Sequence, residues 1–162
     1  MEKLITKRLG IRNMTDADLV FIKSLREDEV CARYQRWEDN SEEHIRELIA
    51  THRHDVLLSD TEIQRFLIVM RDGAPVGTLT LFVTPKEDCI TVGITIASAH
   101  QRKGYAKEIL TALCNLAKET YPTLDLIALI HPDNTPSIRL FEALGFRFQL
   151  HAESINSLVY VR

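Results

Sequence analysis

Two cations, Arg102 and Lys103, stand where a helix is expected to begin. They lie in the stretch HQRKGYAKEIL, residues 100–110, which follows the apolar run ITVGITIA. The first turn of a helix carries about half a positive charge and several unpaired N–H groups, so it favours an acidic side chain or a bound anion. Gly104 and Ala106 are small enough to let a phosphate approach the backbone. The stretch indicates a phosphate-binding site, although the charges alone are equally consistent with an exposed, solvated turn.

Known phosphate-binding motifs narrow the possibilities for this stretch. The sequence has no GxxxxGK[ST] motif, and no GxGxxG motif follows its first predicted strand. Nucleotide hydrolases and dinucleotide-dependent dehydrogenases therefore lose support. What remains is a Q-x-x-G-x-A pattern, Gln101 to Ala106, which opens a predicted helix after the fourth predicted strand.

A second motif lies further along the chain, where residues 134–146 read NTPSIRLFEALGF. Together the two segments resemble the acyl-CoA-binding Q-x-x-G-x-A loop and the N-x-x-[AS]-x-x-x-[YF]-x-x-x-G-F segment of the GNAT superfamily of N-acetyltransferases. The chain is most similar to the branch typified by bacterial ribosomal-protein N-terminal acetyltransferases, on the basis of Arg8, Leu9, Arg12 and Trp37.

The apolar periodicity predicts which elements precede these motifs. LITKRLGIR predicts a first strand. Two capped helices are expected next, one starting at Thr15 and ending near Glu29, the other capped by Asn40 and ending near Ser59. RFLIVM, PVGTLTLFV and CITVGITIA then predict three consecutive strands, the first two joined by a hairpin turn at Asp72-Gly73.

The remaining elements alternate between helix and strand. Residues 103–119 predict a helix, LDLIALI a buried strand, SIRLFEAL a short helix, and FRFQLHA and SLVYV two closing strands. The predicted order is β-α-α-β-β-β-α-β-α-β-β. The resemblance implies a GNAT-type α/β (mixed α+β) fold, in which about seven strands form a central, mixed, mostly antiparallel twisted sheet flanked by four helices.

Composition limits the class of protein. The chain of 162 residues fits a single domain spanning residues 1–162, and a net charge of −3 with interspersed signs predicts no nucleic-acid partner. No apolar run reaches about 18 residues and the first ten residues lack a signal-peptide core, so we expect no membrane partner and a cytoplasmic location. The three cysteines are widely spaced and outside any metal-binding pattern, so we expect packing thiols and no metal.

The resemblance implies that acetyl-CoA is the acyl donor and assigns it a set of residues. Strand backbone groups of Ile94, Thr95 and Ile96 would hold the pantetheine arm, and Asn134 would contact the same arm, although Asn134 also suits a helix cap. The pyrophosphate would be cradled by the loop and helix start made of Gln101, Arg102, Lys103, Gly104, Tyr105, Ala106 and Lys107.

The catalytic residues are less regular than the donor motifs. The tyrosine that protonates the leaving thiol in many family members aligns with Phe141, which has no proton to give. Ser137 is the candidate general acid, unless it is a small packing residue whose hydroxyl bonds to the preceding turn. His131 and Glu38 are candidate bases, with capping or solvated roles as alternatives, and a water chain could replace both. Leu129 stands where several relatives have glutamate.

The acceptor is an amine in this interpretation. Neutralising a lysine-like amine of pKa about 10.4 at pH 7 costs about 4.6 kcal/mol, whereas an α-amine of pKa near 8 costs about 1.4 kcal/mol. A site without an evident base suits an α-amine, such as a protein or peptide N-terminus. Tyr34 and Trp37 would line the acceptor groove or anchor its loop to the core. Arg33 and Arg36 could bind an acidic acceptor or pair with a carboxylate of the protein itself.

Other functions stay open at this stage. An acidic cluster within residues 38–43 could attract a polyamine or aminoglycoside-like amine, although a solvated helix start explains it equally. Phe141 and Leu129 would also be compatible with a non-catalytic acyl-CoA sensor. We expect transfer without a covalent enzyme intermediate, since no cysteine has a neighbouring histidine in sequence. The protein is expected to be a monomer or a homodimer.

Overall fold

The chain forms one eight-stranded sheet with five α-helices in a computed structural model, which describes residues 2–59 and 62–162. The strands are β1 Glu2–Ile5, β2 Gly10–Asn13, β3 Arg65–Arg71, β4 Ala74–Thr84, β5 Cys89–Ile96, β6 Asp125–Ile130, β7 Arg147–Ala152 and β8 Ser157–Val161. The helices are α1 Leu19–Glu27, α2 Glu29–Ala32, α3 Glu42–His52, α4 Tyr105–Thr120 and α5 Thr135–Ala143. None of these helices is long and apolar enough to cross a membrane.

The spatial order of the strands is β1-β2-β3-β4-β5-β6-β8-β7, and only β5 and β6 pair in parallel. Alternate residues of β3 point into different cores, because side chains of a strand alternate between its two faces. Leu67 and Val69 pack in the core formed with α4 and α5, whereas Ile68 and Met70 pack in the core formed with α1 and α3. The sheet is thus covered by helices on both faces, and the mixed, mostly antiparallel fold predicted from the sequence is confirmed.

The first predicted strand is divided in two by a bend at Lys7 and Arg8, which gives eight strands instead of about seven. The bend is bound to α4 through one carboxylate. Glu108 accepts hydrogen bonds from the Thr6 hydroxyl at 2.6 Å, the Arg8 N–H at 2.8 Å and Arg8 Nε at 2.6 Å. This long-range contact folds the segment back on itself, and apolar alternation along LITKRLGIR gives no sign of it.

The start of α3 also differs from the sequence prediction. Ser41 caps the helix by accepting a hydrogen bond from the His44 N–H at 3.2 Å, so the predicted cap Asn40 is wrong by one residue. The helix ends at His52 rather than near Ser59, because Asp55 turns the chain by accepting from the Phe66 N–H at 3.1 Å and contacting His52 Nδ1 at 2.9 Å. The fifth helix, α2, is short and lies within the loop that leads to α3.

The sheet opens in its middle, between β5 and β6. The two strands pair only from Cys89 with Asp125 to Thr91 with Ile127, yet β5 continues to Ile96 and β6 to Ile130. The other edge of β5 stays paired with β4 over its whole length. Backbone groups on the open edge of β5 therefore have no strand partner beyond Thr91, and they can bind a ligand in extended form.

Candidate active site

Two adjoining cavities occupy the opening between β5 and β6. The larger one, of about 580 Å³, is bordered by the loop after α1, the turn between β7 and β8, and the ends of β5 and β6. The smaller one, of about 490 Å³, extends to the start of α4. Both cavities are lined by Arg33, Tyr34, Gln35, Ile94, Thr95, Asn134 and Ser137. Two ligands could therefore meet at this shared wall.

The smaller cavity brings together nearly all of the predicted cofactor-binding residues. Those that line it are Ile94, Thr95, Ile96, Gln101, Arg102, Gly104, Tyr105, Ala106, Lys107 and Asn134. Lys103 does not line it, since its ammonium group donates to the Ala99 carbonyl at 3.2 Å. The edge of β5 and the start of α4 thus line one continuous cavity.

The start of α4 has the geometry of an anion site. Gly104 precedes the helix with φ of +78°, in the left-handed region that glycine adopts without strain, and Arg102 has φ of +61°. The first helical bond runs from the Glu108 N–H to the Gly104 carbonyl at 3.0 Å. The preceding N–H groups of the first turn therefore lack helical partners and can bind a phosphate. Arg102 and Lys103 lie in the loop before the helix and not in its first turn, because the helix begins at Tyr105 rather than at the predicted residue 103.

The acidic group that this helix start favours is supplied by Glu108. Burial alone would raise the pKa of this carboxyl, but hydrogen bonds from Thr6 and Arg8 outweigh that effect and hold the pKa below its usual range. Arg8 also donates to the Lys103 carbonyl at 3.0 Å and lies over the Tyr105 ring at 4.9 Å. Arg71 lies over the same ring at 5.1 Å. The sequence did not single out Arg71, because only the pairing of β3 with β2 brings it near α4.

Some polar groups of the smaller cavity are already bound. The Gln101 side chain donates to the Ile96 carbonyl at 2.9 Å, and the Cys31 thiol approaches the same oxygen at 3.5 Å. Gln101 thus shapes the strand end. His100 lines the cavity, and its buried Nδ1 has no hydrogen-bond partner among the described residues. An unsatisfied buried nitrogen beside cationic side chains and open N–H groups fits a polyanionic ligand such as coenzyme A.

Ser137 lies on the wall that the two cavities share. Its backbone N–H donates to Asn134 Oδ1 at 3.3 Å, so Asn134 is the N-cap of α5. No hydrogen bond of the Ser137 hydroxyl is found among the described residues, including the bond to the preceding turn that a packing role would give. Half-buried and without such a partner, the hydroxyl can donate a proton to a group in the cleft.

His131 borders the larger cavity and is held from several sides. Its ring stacks on Tyr34 with centroids 5.0 Å apart, and Nδ1 accepts from the Asp133 N–H at 3.1 Å. Nε2 lies 3.2 Å from the Asn156 side-chain nitrogen. Nδ1 thus accepts from the backbone and Nε2 is in contact with the Asn156 amide group, so both ring nitrogens are engaged. Neither ring nitrogen is therefore free to accept a proton from an amine in this arrangement.

The other predicted residues divide between cavity and surface. Tyr34 and Trp37 both line the larger cavity, and the Arg26 guanidinium lies 5.5 Å from the centre of the Trp37 ring. Glu38 is exposed and lines neither cavity. The structure thus brings His131 and Ser137 to the cleft but leaves Glu38 in the loop outside it.

Phe141 and Leu129 occupy positions where relatives carry catalytic groups. Phe141 is 3% exposed and packs edge-on against Phe146, with ring centroids 5.0 Å apart. Leu129 is 46% exposed and forms part of the wall of the larger cavity. Phe141 therefore has a clear role in the core, while Leu129 contributes an apolar side chain to the wall of the larger cavity.

The cysteines are buried, and the pKa values of two of the thiols are raised. Burial is the main cause for both Cys31 and Cys114. A raised pKa keeps the thiol protonated at neutral pH, which disfavours a nucleophilic role. Among residues 2–59 and 62–162, no three His, Cys, Asp or Glu side chains are grouped as ligands for a metal ion.

Comparisons with known proteins agree on one family. The sequence model of the acetyltransferase (GNAT) domain matches residues 8–147. Among curated proteins, no sequence matches the chain significantly. Solved structures with a similar fold include a GNAT-family acetyltransferase from Bacillus anthracis, with a TM-score of 0.81, 20% identity and a match covering 98% of this chain and 96% of that chain.

Two other similar structures differ from each other in the acceptor that their names give. RimL, a ribosomal L7/L12 alpha-N-protein acetyltransferase solved with coenzyme A, has a TM-score of 0.82 and 15% identity, covering 100% of this chain and 97% of that chain. A spermidine N-acetyltransferase from Vibrio cholerae, solved with CoA and spermine, has a TM-score of 0.75 and 21% identity, covering 95% and 93%. At such low identity these similarities show the fold and leave the acceptor open.

Proposed function

The chain belongs to the GNAT family of acetyltransferases, and on that premise we propose that it uses acetyl-CoA to acetylate a primary α-amine by direct transfer in a ternary complex. The observation that carries the proposal is the opening between β5 and β6, which joins the basic start of α4 to a second cavity through a shared wall. One cavity suits a phosphate-bearing donor, and the other leaves room for an acceptor.

The residues of the smaller cavity fit coenzyme A. Alternate groups of a strand face opposite sides, and the Thr95 carbonyl faces Gly77 of β4. The backbone of Ile94 therefore faces the opening, where it can hold the amide groups of a pantetheine arm. The N–H groups at the start of α4, with Arg102 and Lys107, can bind the pyrophosphate. Lys103 can contribute only if its side chain leaves the Ala99 carbonyl.

Bound acetyl-CoA supplies the acetyl group as an activated thioester. Ser137 Oγ is the group of this chain that can donate a proton to the departing thiolate, because it lies on the shared wall without another partner among the described residues. The protonated thiols of Cys31 and Cys114 support transfer without an acyl-cysteine. The buried, packed Phe141 is consistent with a shift of the acid role to Ser137.

The choice of an α-amine follows from the absence of a carboxylate base. None of the described residues that line either cavity is Asp or Glu. An α-amine of pKa near 8 needs only about 1.4 kcal/mol to become neutral at pH 7, so water can accept its proton. An amine of pKa about 10.4 would need about 4.6 kcal/mol.

The proposal is tested by an amine panel monitored by release of free CoA thiol from acetyl-CoA. The panel contains N-terminal peptides, peptides whose only free amine is a lysine, spermidine and an aminoglycoside. We expect release with α-amines and several-fold less with lysine amines at pH 7. Release with no amine of the panel, under conditions where acetyl-CoA binds, would contradict transfer and favour a sensor.

A further inference from the structure

The larger cavity is positively charged although the chain as a whole is acidic. The chain has 23 acidic and 20 basic residues, yet the charged residues among those described at this cavity are Arg26, Arg33 and Arg36, joined by the titratable His131. We propose that the acceptor carries a carboxylate beside its reactive amine and that these arginines bind it. This inference rests on the proposed function and names the class of acceptor.

Arg26 is the most unusual of the three cations. It is 7% exposed, and its polar contact is a hydrogen bond from Nη1 to the Asp39 carbonyl at 3.3 Å. The Trp37 ring covers one side of the guanidinium. No carboxylate of the described residues lies within 4.0 Å of it. A nearly buried guanidinium without a carboxylate is costly, and an anion from outside would compensate its charge.

Arg33 and Arg36 have unused donors as well. Arg33 is exposed, lines both cavities and makes no hydrogen bond or ion pair with any described residue. Arg36 Nη2 donates to the Ile155 carbonyl and to the Ser157 hydroxyl, the latter at 2.9 Å, which holds the turn between β7 and β8. Nη1 and Nε of Arg36 have no partner among the described residues. Arginine donors in a fixed fork suit a carboxylate, which can accept two parallel hydrogen bonds.

Internal neutralisation is the competing explanation for these arginines. The nearest acidic group to Arg26 is Asp39, whose carboxylate accepts instead from the Ser41 N–H at 2.7 Å. Asp39 is exposed and lines neither cavity. Asp39 therefore offsets the charge of Arg26 only from a distance, and no carboxylate of residues 38–43 forms a direct ion pair with the arginine donors that face the cleft.

The positive charge also helps the chemistry of the acceptor amine. Neighbouring cations disfavour the protonated amine, so they lower its pKa and favour the neutral nucleophile. The same cations would repel an acceptor that carries only positive charge. A carboxylate on the acceptor resolves this conflict, because it draws the molecule into the cavity while the amine loses its proton. Spermidine, with several ammonium groups, lacks such a carboxylate.

The test compares acceptors that differ only in charge, using release of CoA thiol at fixed acetyl-CoA. One arm uses L-glutamate against L-glutamine amide. The other uses C-terminally amidated tripeptides of sequence Ser-Asp-Glu, Ser-Asn-Gln and Ser-Lys-Lys, and spermidine is included in both. We expect a kcat/KM at least tenfold higher for the acidic member of one arm than for its neutral partner, with spermidine lowest. The arm that responds identifies a free amino acid or a peptide N-terminus as the source of the carboxylate.

Variants of Arg33 connect the preference to the cavity, since this exposed side chain carries no internal contact that the fold needs. We expect Arg33→Gln to lower kcat/KM for the acidic acceptor about tenfold, mainly through KM, and Arg33→Lys to retain most of the preference. Arg33→Glu should shift the preference toward the basic peptide. The matched control is Arg139→Gln, which removes an exposed arginine of α5 that lines neither cavity.

The outcomes separate this inference from the proposed function. Equal or better activity with neutral or basic acceptors, or an acidic preference that survives Arg33→Gln and Arg33→Glu, would overturn the inference and leave acetyl transfer intact. No CoA release with any acceptor, acidic or not, would overturn the proposed function itself and the inference with it.

Discussion

At the scale of the single residue, Ser137 is notable for its position between the two cavities and for a hydroxyl left unpaired by the part of the chain that the structure describes. It lies on the wall shared by both cavities, and no hydrogen bond of its hydroxyl is found among the described residues. Asn134, which lies beside it, is engaged as the N-cap of α5. His131 is restrained by Tyr34, Asp133 and Asn156. Ser137 thus places at the junction a hydroxyl that can donate a proton.

We therefore expect Ser137→Ala to lower kcat by about 100-fold, since a positioned general acid contributes about 10²–10⁴-fold. The KM for acetyl-CoA should change little, because no charge or backbone donor is removed. Steady-state release of CoA thiol measures both parameters. Ser154→Ala is the matched control, since Ser154 is exposed and lines neither cavity. Unchanged turnover of Ser137→Ala at saturating acceptor would remove Ser137 as the acid.

At the scale of the element, the start of α1 is held to β2 by a buried carboxylate. Asp18 is 2% exposed and accepts from Arg12 Nη1 at 2.7 Å and Arg12 Nη2 at 2.8 Å. It also accepts from the Thr15 N–H at 2.7 Å, which gives the capping box that the sequence indicated. Since α1 and the short α2 lead into the loop with Arg33 and Tyr34, which line the larger cavity, this anchor also helps to fix one wall of that cavity.

The anchor predicts a pH dependence of stability. Burial alone would raise the pKa of Asp18, but the bonds from Arg12 and Thr15 outweigh it, so the pKa in the folded protein lies below the usual value near 3.9. A lowered folded pKa contributes stability that is present above about pH 4 and is lost as the pH falls through the folded pKa.

We expect Asp18→Asn to lower the free energy of unfolding by about 3 kcal/mol at pH 7, the lower end for breaking a buried ion pair. The difference from the wild type should shrink below about pH 4, as the wild-type carboxyl becomes protonated. Urea unfolding at pH 7 and at pH 3 measures both. Asp16→Asn is the control, because the Asp16–Arg53 pair is exposed and should contribute less than about 1 kcal/mol. Equal losses for the two variants would contradict the anchoring role.

At the scale of the whole molecule, the cleft divides the sheet. The strands from β1 to β5 form one part and those from β6 to β8 the other, and the two parts pair directly only along Cys89 to Thr91. The helix α4 crosses between them and packs its buried face against both, through residues such as Leu110 and Leu113. A ligand in the opening would contact both parts and resist their separation.

Acetyl-CoA should therefore stabilise the protein against heat. At a concentration of 100 times Kd, a ligand that binds only the folded state adds about 2.7 kcal/mol, which for a chain of this size raises Tm by about 5–10 °C. Gly104→Ala should reduce this rise, because the added Cβ stands at the phosphate-facing helix start.

Gly73→Ala is a matched control for that variant. Gly73 has φ of +79° and Gly104 has φ of +78°, so alanine is strained at both positions, but Gly73 lies in the hairpin between β3 and β4. We expect both variants to melt earlier without ligand, and only Gly104→Ala to respond less to acetyl-CoA in a thermal-shift titration. Equal responses would place the pyrophosphate elsewhere.

Most element types could be predicted from the sequence alone, and so could a donor-site hypothesis. Helical and strand periodicities are local, so β3 to β8, α4 and α5 were predicted close to their observed bounds. The family resemblance predicts a donor site at Gln101 to Lys107 and the backbone of Ile94 to Ile96, because its motifs are short and contiguous along the chain; all of these residues except Lys103 line the smaller cavity. The homodimer and the cytoplasmic location stay predictions.

Only the tertiary structure decided the features that depend on distant contacts. The bend at Lys7 and Arg8 depends on Glu108, about a hundred residues away in the chain. The charge of the larger cavity could not be predicted, because Arg33 and Arg36 could equally have paired with the nearby acidic cluster. Arg36 instead donates to Ser157 where the loop after α1 packs against the turn between β7 and β8, and Arg33 has no partner among the described residues. Charge pairing is set by spatial distance rather than by sequence separation, which is why the charge of the larger cavity became visible only in the fold.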